Sequence, residues 1–346
     1  MASIDSAIDS AIDSTFVDTE RLPTLIELGS HRGASARLES VLAWHAQMRS
    51  ELERMLLRSG AILFRDFPVR SPEEFARVAR ALSSGDLIEE YVPGVSQRTK
   101  LGGGVFSSTE YPSHLIMPCH NEMSYTRDWP SKIFFWCAVA PHEQGETPLV
   151  DLRRVVKRLS PETAARFRAH AVTHSRFFHC GDGSGELARN VRTLDASGYP
   201  YTLSWQYAFC TTDKGAVEEE GRRIGASFRW TDEDGLVWRE TLPAIRRHRE
   251  SGEEAWFNQI ANFHPVRMKR ELRASIPEDQ YPRNVFFEDG SPISEAVFEE
   301  IRACMASAEV CFPWRPNDLL MIDNQSVAHG RRSYQGPRRI LAAMAR

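Results

Sequence analysis

The sequence predicts an α+β protein built on a β-sandwich or jelly roll with flanking helices. Three features carry that reading: apolar residues at helical spacing before residue 100, short β-like runs punctuated by Gly, Pro, Asp and Asn after it, and a helix-capable stretch near residue 160 that interrupts those runs. The chain has 346 residues, a length that one β-rich domain with elaborated loops can reach. Residues 21–346 are expected to form that domain. Residues 1–20 open with Ile4, Ile8 and Ile12 four apart among Asp, Ser and Ala, and are expected to be a disordered or loosely docked tail.

Each element has a local reason. Val41, Trp44, Met48, Leu52, Met55 and Leu56 follow helical spacing and stop at Gly60, a residue suited to the left-handed conformation after a helix. Ala61 to Phe67 is a short apolar run of strand length. Ser71-Pro72-Glu73-Glu74 then supplies an N-cap, a first-turn proline and a capping-box glutamate for a second helix. Lys132 to Val139, Thr147 to Leu152, Asp318 to Asp323 and Ile340 to Ala343 read as strands. Ser160 to Ala169, with Ser160 as cap and Pro161 at the first helical position, reads as the helical insertion.

Bulk composition excludes several classes. Apolar residues make up 42% and charged residues 26%, an ordinary globular balance, and the formal charge of −4 lacks the basic excess that phosphate neutralisation requires of a nucleic-acid binder. No apolar run approaches the roughly 18–20 residues that span a bilayer, and no basic-then-apolar leader opens the chain, so a cytoplasmic protein with no membrane partner is expected. The six cysteines form no C-x-x-C pair and are expected to be reduced thiols.

The chemistry gathers in three places. In His120-Asn121-Glu122 an extended backbone would project the imidazole and the carboxylate to one face, although H-x-E alone is common by chance. His329 follows the apolar run Leu319 to Ile322 and precedes Gly330, a position from which it could point into a barrel and meet the first two residues through the fold. Two imidazoles and one carboxylate on one face of an octahedral ion leave three positions for a chelating cosubstrate and O₂, which suits Fe(II); a structural zinc site would be closed by four ligands. Downstream, Gly336-Pro337-Arg338-Arg339 offers a guanidinium able to pair with the far carboxylate of such a chelator. Two other classes use the same residues: a zinc hydrolase activating water, and a non-catalytic β-sandwich that binds a small acid.

With those residues noted, the sequence resembles the taurine dioxygenase (TauD/TfdA) family of Fe(II)/2-oxoglutarate-dependent oxygenases, most closely its SyrP-like branch. The matching text is GAILFRDFPV from Gly60, HNEMSY from His120, GETPLVD from Gly145, LSWQYAFCTTD from Leu203, WFNQ from Trp256, and NDLLMIDNQSVAHGRR with GPRRILAAM from Asn317 onward. The resemblance implies a double-stranded β-helix (a clavaminate synthase-like jelly roll) with His120, Glu122 and His329 as iron ligands. It also implies that Thr147 and one arginine bind 2-oxoglutarate: the branch pattern favours Arg338, the spacing from the distal His favours Arg339, and neighbouring strand residues face opposite sides, so one of them should enter the pocket. Halogenating relatives carry a small residue where Glu122 stands, so its presence favours hydroxylation, with desaturation and cyclisation left open. The implied substrate is an amino acid or amino-acid derivative, free or tethered to a peptide-synthetase carrier protein, in natural-product (antibiotic) biosynthesis.

Other residues carry weaker expectations. Trp205, Gln206 and Asn121 are candidate substrate contacts, since an aromatic wall with an amide suits an amino-acid substrate. His264 is expected to serve packing or a role behind the site. His174 and His179-Cys180, separated by Phe177 and Phe178, read as part of a buried strand rather than a second metal site. Gly102-Gly103-Gly104 is either a mobile lid or a plain connection.

Overall fold

The computed structural model describes residues 12–16, 22–28, 37–83, 86–89, 98–108, 111–181 and 203–346. Its largest sheet has eight strands in the order β1 (Ile12–Phe16), β2 (Thr24–Leu28), β3 (Ala61–Arg65), β17 (Leu319–Asp323), β7 (Lys132–Val139), β20 (Arg339–Ala345), β5 (Val105–Ser107) and β4 (Lys100–Gly102). All neighbours are antiparallel except β2 and β3. A smaller antiparallel sheet, β16 (Glu309–Val310), β9 (Leu149–Asp151), β18 (Val327–Arg331) and β6 (Met117–His120), carries the residues of interest. A two-residue pair, β8 (Glu143–Gln144) with β19 (Tyr334–Gln335), lies beside it.

The alternation of side chains along β7 and β17 explains why these strands read as unbroken apolar runs. Ile133, Phe135 and Cys137 join Leu320 and Ile322 on one face, against Leu149 and Val327 of the smaller sheet. Phe134, Trp136, Leu319 and Met321 face the other way. There they meet helices α1 (Leu38–Ser59) and α2 (Pro72–Ser83) through Trp44, Leu52, Leu56, Phe75 and Leu82. A sheet covered on both faces has no polar side to display. The helix starts and stops follow the caps expected of them: α1 ends at Gly60, and the Glu74 amide bonds to Ser71 Oγ while the Glu74 carboxylate accepts the Arg70 amide.

Between β9 and β16 runs the insertion. It begins with α3 (Leu152–Arg158) and α4 (Pro161–Ala169), the latter capped by Ser160. It continues into a four-stranded antiparallel sheet, β11 (Ser227–Trp230), β12 (Leu236–Leu242), β10 (Val172–Phe178) and β15 (Arg283–Phe287). It also holds α5 (Trp205–Phe209), α6 (Lys214–Ile224), the pair β13 (Ile245–Arg247) with β14 (Glu254–Trp256), and three further helices, α7 (Ile260–Phe263), α8 (Arg270–Ser275) and α9 (Glu295–Ser307).

One expectation needs revision. Within the stretch expected as a tail, Ile12–Phe16 form an edge strand on β2, so that part is hydrogen-bonded into the sheet; residues 1–11 and 17–21 lie outside the described residues. Gly102-Gly103-Gly104 takes the connecting role: Gly103 and Gly104, both at positive φ, make the tight turn of the β4–β5 hairpin, and a Cβ on Gly104 would lie 2.7 Å from Leu87 Cβ. Among the described residues no helix is long and apolar enough to cross a membrane.

Candidate metal centre

The pairing of β6 with β18 brings His120 and His329 together. They are direct cross-strand partners, with ring centroids 4.7 Å apart at 47°. Immediately past His329 the register shifts, and Gly330 lets the two backbones close up, because a Cβ there would lie 2.7 Å from Met117 O. Glu122 stands just beyond the end of β6, on a turn. Ligand atoms of His120, Glu122 and His329 all lie within 4.8 Å of one another. The expected triad is therefore assembled: two ligands by sheet register, the third by a turn.

That turn is held from the opposite loop, between β17 and β18. The Glu122 amide donates to Asn324 Oδ1 at 2.8 Å, and Asn324 Nδ2 donates to Glu122 O at 2.9 Å and to Pro130 O at 2.8 Å. Asp323 Oδ1 accepts the amides of Gln325 and Ser326, and its Oδ2 bonds to His248 Nε2 at 2.9 Å, tying the loop to the insertion. Asn121 belongs to the same brace. Its Nδ2 donates to Asn324 O and Val327 O, and its carbonyl accepts from Gln259 Nε2. With its amide turned inward, Asn121 props the ligand turn instead of meeting a substrate.

Electrostatics suit metal ligation. Burial lowers the pKa of both imidazoles, and for His329 the neighbouring His120 and Arg98 add to it, so both rings are neutral donors. His120 Nδ1 lies 2.9 Å from Pro118 O; a carbonyl can only accept, so Nδ1 carries the proton and Nε2 keeps its lone pair. Glu122 Oε2 accepts from Arg98 Nη2 at 2.5 Å in a pair that is 3% and 5% exposed. These three donors, two neutral nitrogens and a carboxylate on one side, fit a ferrous ion with positions to spare.

A narrow cleft beside the triad is lined by His120, His329, Thr147, Arg331 and Arg338. Thr147 Oγ1 accepts from Trp314 Nε1 at 3.1 Å, which leaves its own proton to donate. Arg338 enters the cleft, its Nε donating to Gly145 O at 2.9 Å, while Arg339 is exposed and outside the cleft lining. Burial, with Arg331 nearby, pulls the Arg338 pKa down to about 10, the mark of a cation without an anionic partner. Arg331 is itself clamped to the carbonyls of Tyr111, Pro112 and Leu115.

The weaker candidates lie elsewhere. Trp205 is buried in a cluster of the insertion with Phe178 and Trp238, its Nε1 bonded to Asp234 O, and Gln206 bonds to the Gly181 amide. Neither lines the cleft. His264 bonds to Ile293 O and caps the turn Pro265–Arg267, a packing role as expected. His174 sits within β10, also as expected. Sequence reasoning missed Arg98, Asn324 and Arg331. Asn324 had a signal in the Asp-Asn-Gln turn after a buried strand; Arg98 had none, because its partner is distant in the chain.

Comparisons with known proteins agree with this geometry. The family model described as taurine catabolism dioxygenase TauD, TfdA family matches residues 21–344. The chain is 31% identical over 297 residues to the dapdiamide synthesis protein DdaC of Enterobacter agglomerans, covering 85% of this chain and 84% of the relative. It is 32% identical over 301 residues to a clavaminate synthase-like protein of Arabidopsis thaliana, again covering 85% and 84%. Among solved structures, a taurine dioxygenase from Burkholderia xenovorans superposes with a TM-score of 0.54 at 15% identity over 97% of this chain and 89% of that one, a likeness of fold. The chain therefore belongs to the TauD/TfdA family and is an iron(II)- and 2-oxoglutarate-dependent dioxygenase.

Proposed function

We propose that the enzyme hydroxylates an unactivated C–H bond of an amino acid or amino-acid-derived substrate in natural-product biosynthesis. The observation that carries this reading is the convergence of His120, Glu122 and His329 within 4.8 Å beside a cleft that Arg338 enters. Of the relatives, one is named as a dapdiamide synthesis protein, which supports the biosynthetic setting.

In this reading the triad holds iron(II), and the bound iron supplies the redox chemistry that couples oxidative decarboxylation of 2-oxoglutarate by O₂ to attack on the C–H bond. The chain's own residues do the placing. Arg338 receives the far carboxylate of 2-oxoglutarate, and the Thr147 hydroxyl donates to the same end. The cross-strand pairing of His120 with His329 fixes two ligands on rigid strands, and the neutral rings keep their lone pairs for the metal. Glu122 as a carboxylate, rather than a small residue, completes the ligand set that favours hydroxylation.

Two measurements test the proposal. Anaerobic addition of Fe(II) and 2-oxoglutarate should give a weak visible charge-transfer band. Mass spectrometry after turnover of free and carrier-loaded amino acids should show a gain of one oxygen atom. A band without any oxygenated product from either panel would remove the substrate assignment.

A further inference from the structure

A second and far larger cavity, of about 970 Å³, lies along residues 123–132, directly past Glu122 in the chain. Its far wall is the inner face of the insertion sheet. There, β10 turns His174, Arg176 and Phe178 to one side, and Arg176 has Trp238 opposite it on β12 and Arg283 opposite it on β15. Arg176 donates Nη2 to Glu240 Oε1 at 2.9 Å and packs over the Tyr125 ring, with Cζ 4.6 Å from the centroid. Tyr125 closes the turn that begins at Glu122, so this corner of the cavity lies on the same turn as the carboxylate ligand.

Two polar atoms in this corner lack a hydrogen-bond partner among the described residues: Tyr125 Oη and Arg176 Nε, on side chains that are 3% and 7% exposed. Buried donors are seldom left unpaired unless a ligand completes them. Most other charges in the wall are engaged: Glu53 with Lys132, Asp323 with His248, Asp128 and Glu220 with Arg223. A guanidinium can only donate, so Arg176 Nε calls for an acceptor, and the Tyr125 hydroxyl, kept protonated by burial, can donate beside it. The adjoining surface is apolar, formed by Phe178, Phe209, Val217 and Trp238.

We propose that this cavity is the subsite for the acid end of the substrate, a carboxylate received by Arg176 Nε and the Tyr125 hydroxyl, with an apolar body lying along Phe178, Phe209, Val217 and Trp238. The inference rests on the oxygenase reading above and names the chemistry of its substrate: an amphipathic carboxylic acid. A cavity of this size takes a ligand much larger than a free small amino acid.

The test uses the full-length protein without metal, titrated with N-octanoylglycine or its primary amide while tryptophan fluorescence is followed; Trp129 and Trp238 both line the cavity. The acid should give saturable quenching, and the amide should bind about ten-fold more weakly or worse, since it loses a charge-assisted pair. Tyr125→Phe and Arg176→Gln should each shrink the difference between acid and amide. Arg176→Gln leaves Glu240 buried without its cation; should that variant fail to fold, Tyr125→Phe, which deletes a hydroxyl that bonds nothing among the described residues, decides alone. Equal binding of acid and amide, no fluorescence change with either, or an undiminished difference in the variants would overturn the subsite. The Fe(II)/2-oxoglutarate absorption band, read on the same preparation, separates the two levels: a normal band with no preference for the acid sinks only the subsite, whereas a missing band sinks the oxygenase reading beneath it.

Discussion

Replacing Arg338 by alanine should weaken 2-oxoglutarate binding by about two orders of magnitude. The magnitude comes from the cleft itself. The Arg338 side chain is largely buried and its Nε bond goes to a neutral carbonyl, Gly145 O. Burial and the nearby Arg331 cation pull its pKa from 12.5 to about 10, so holding the charge there costs about 3 kcal/mol. A carboxylate bonded bidentately to this cation gains about 3 kcal/mol, and at about 1.4 kcal/mol per decade its loss is roughly 100-fold in Kd. Arg339, exposed and outside the cleft lining, should change affinity by less than about two-fold when mutated to alanine. Anaerobic titration of the Fe(II)-loaded protein with 2-oxoglutarate, read by the visible charge-transfer band, measures both. Equal and small effects, or a larger effect at Arg339, would refute the assignment of the clamp.

Three further outcomes follow from the same geometry. Glu122→Ala should fold, yet retain iron poorly and form no hydroxylated product; undiminished succinate formation coupled to product would contradict the ligand assignment. Asn324→Ala removes three hydrogen bonds that hold the Glu122 turn and Pro130, and should cost about 1–3 kcal/mol in urea unfolding together with a loss of Fe(II) or Co(II) affinity; unchanged metal affinity would show that the turn holds itself. His45 is buried among Trp44, Phe64 and Phe67, and its pKa is lowered by that burial to about 3. Between pH 6.5 and that value the unfolded chain binds a proton that the folded chain refuses, so stability falls on acidification by about 1.4 kcal/mol per pH unit and is unaffected above pH 6.5. At pH 5 the loss from this residue is about 2 kcal/mol. His45→Phe should flatten the pH profile of urea-unfolding free energy by that slope, and parallel profiles for the two proteins would exclude the buried neutral ring as its source.

How much was legible in the sequence divides along the range of the interactions. Helix α1 and its stop at Gly60, the Ser71 and Ser160 caps, and strands β3, β7 and β17 are set by neighbours within a few residues, and the chain spells them out. The two histidines were legible because each follows or ends a strand, although only sheet register, His329 opposite His120, makes them a pair. Choosing between Arg338 and Arg339 needed the phase of one strand, which periodicity alone does not anchor. Arg98 and Arg176 were invisible for a different reason. Their meaning lies in Glu122 and Tyr125, and in a sheet face formed by three strands of the insertion, none of which any local pattern links to the metal motif.

The ligand set also has an internal asymmetry that bears on how such a site changes its chemistry. His120 and His329 are fixed by a β-ladder, so altering either strand disturbs the sheet that faces the core. Glu122 is fixed through its backbone, whose amide and carbonyl are both taken by the Asn324 side chain, while its carboxylate is paired with Arg98. Shortening the side chain at residue 122 therefore empties one coordination position while leaving the turn in place, at the cost of depriving Arg98 of its carboxylate. This is the position at which the resemblance separates hydroxylating from halogenating members, and the bracing explains why it can vary. The turn should then persist in Glu122→Ala, and the loss of stability, about 3 kcal/mol or more, should come from the Arg98 cation left buried without this carboxylate. Adding Arg98→Ala should therefore restore part of that stability in urea unfolding; a double variant no more stable than Glu122→Ala would show that the carboxylate, not the amide bracket, holds the turn.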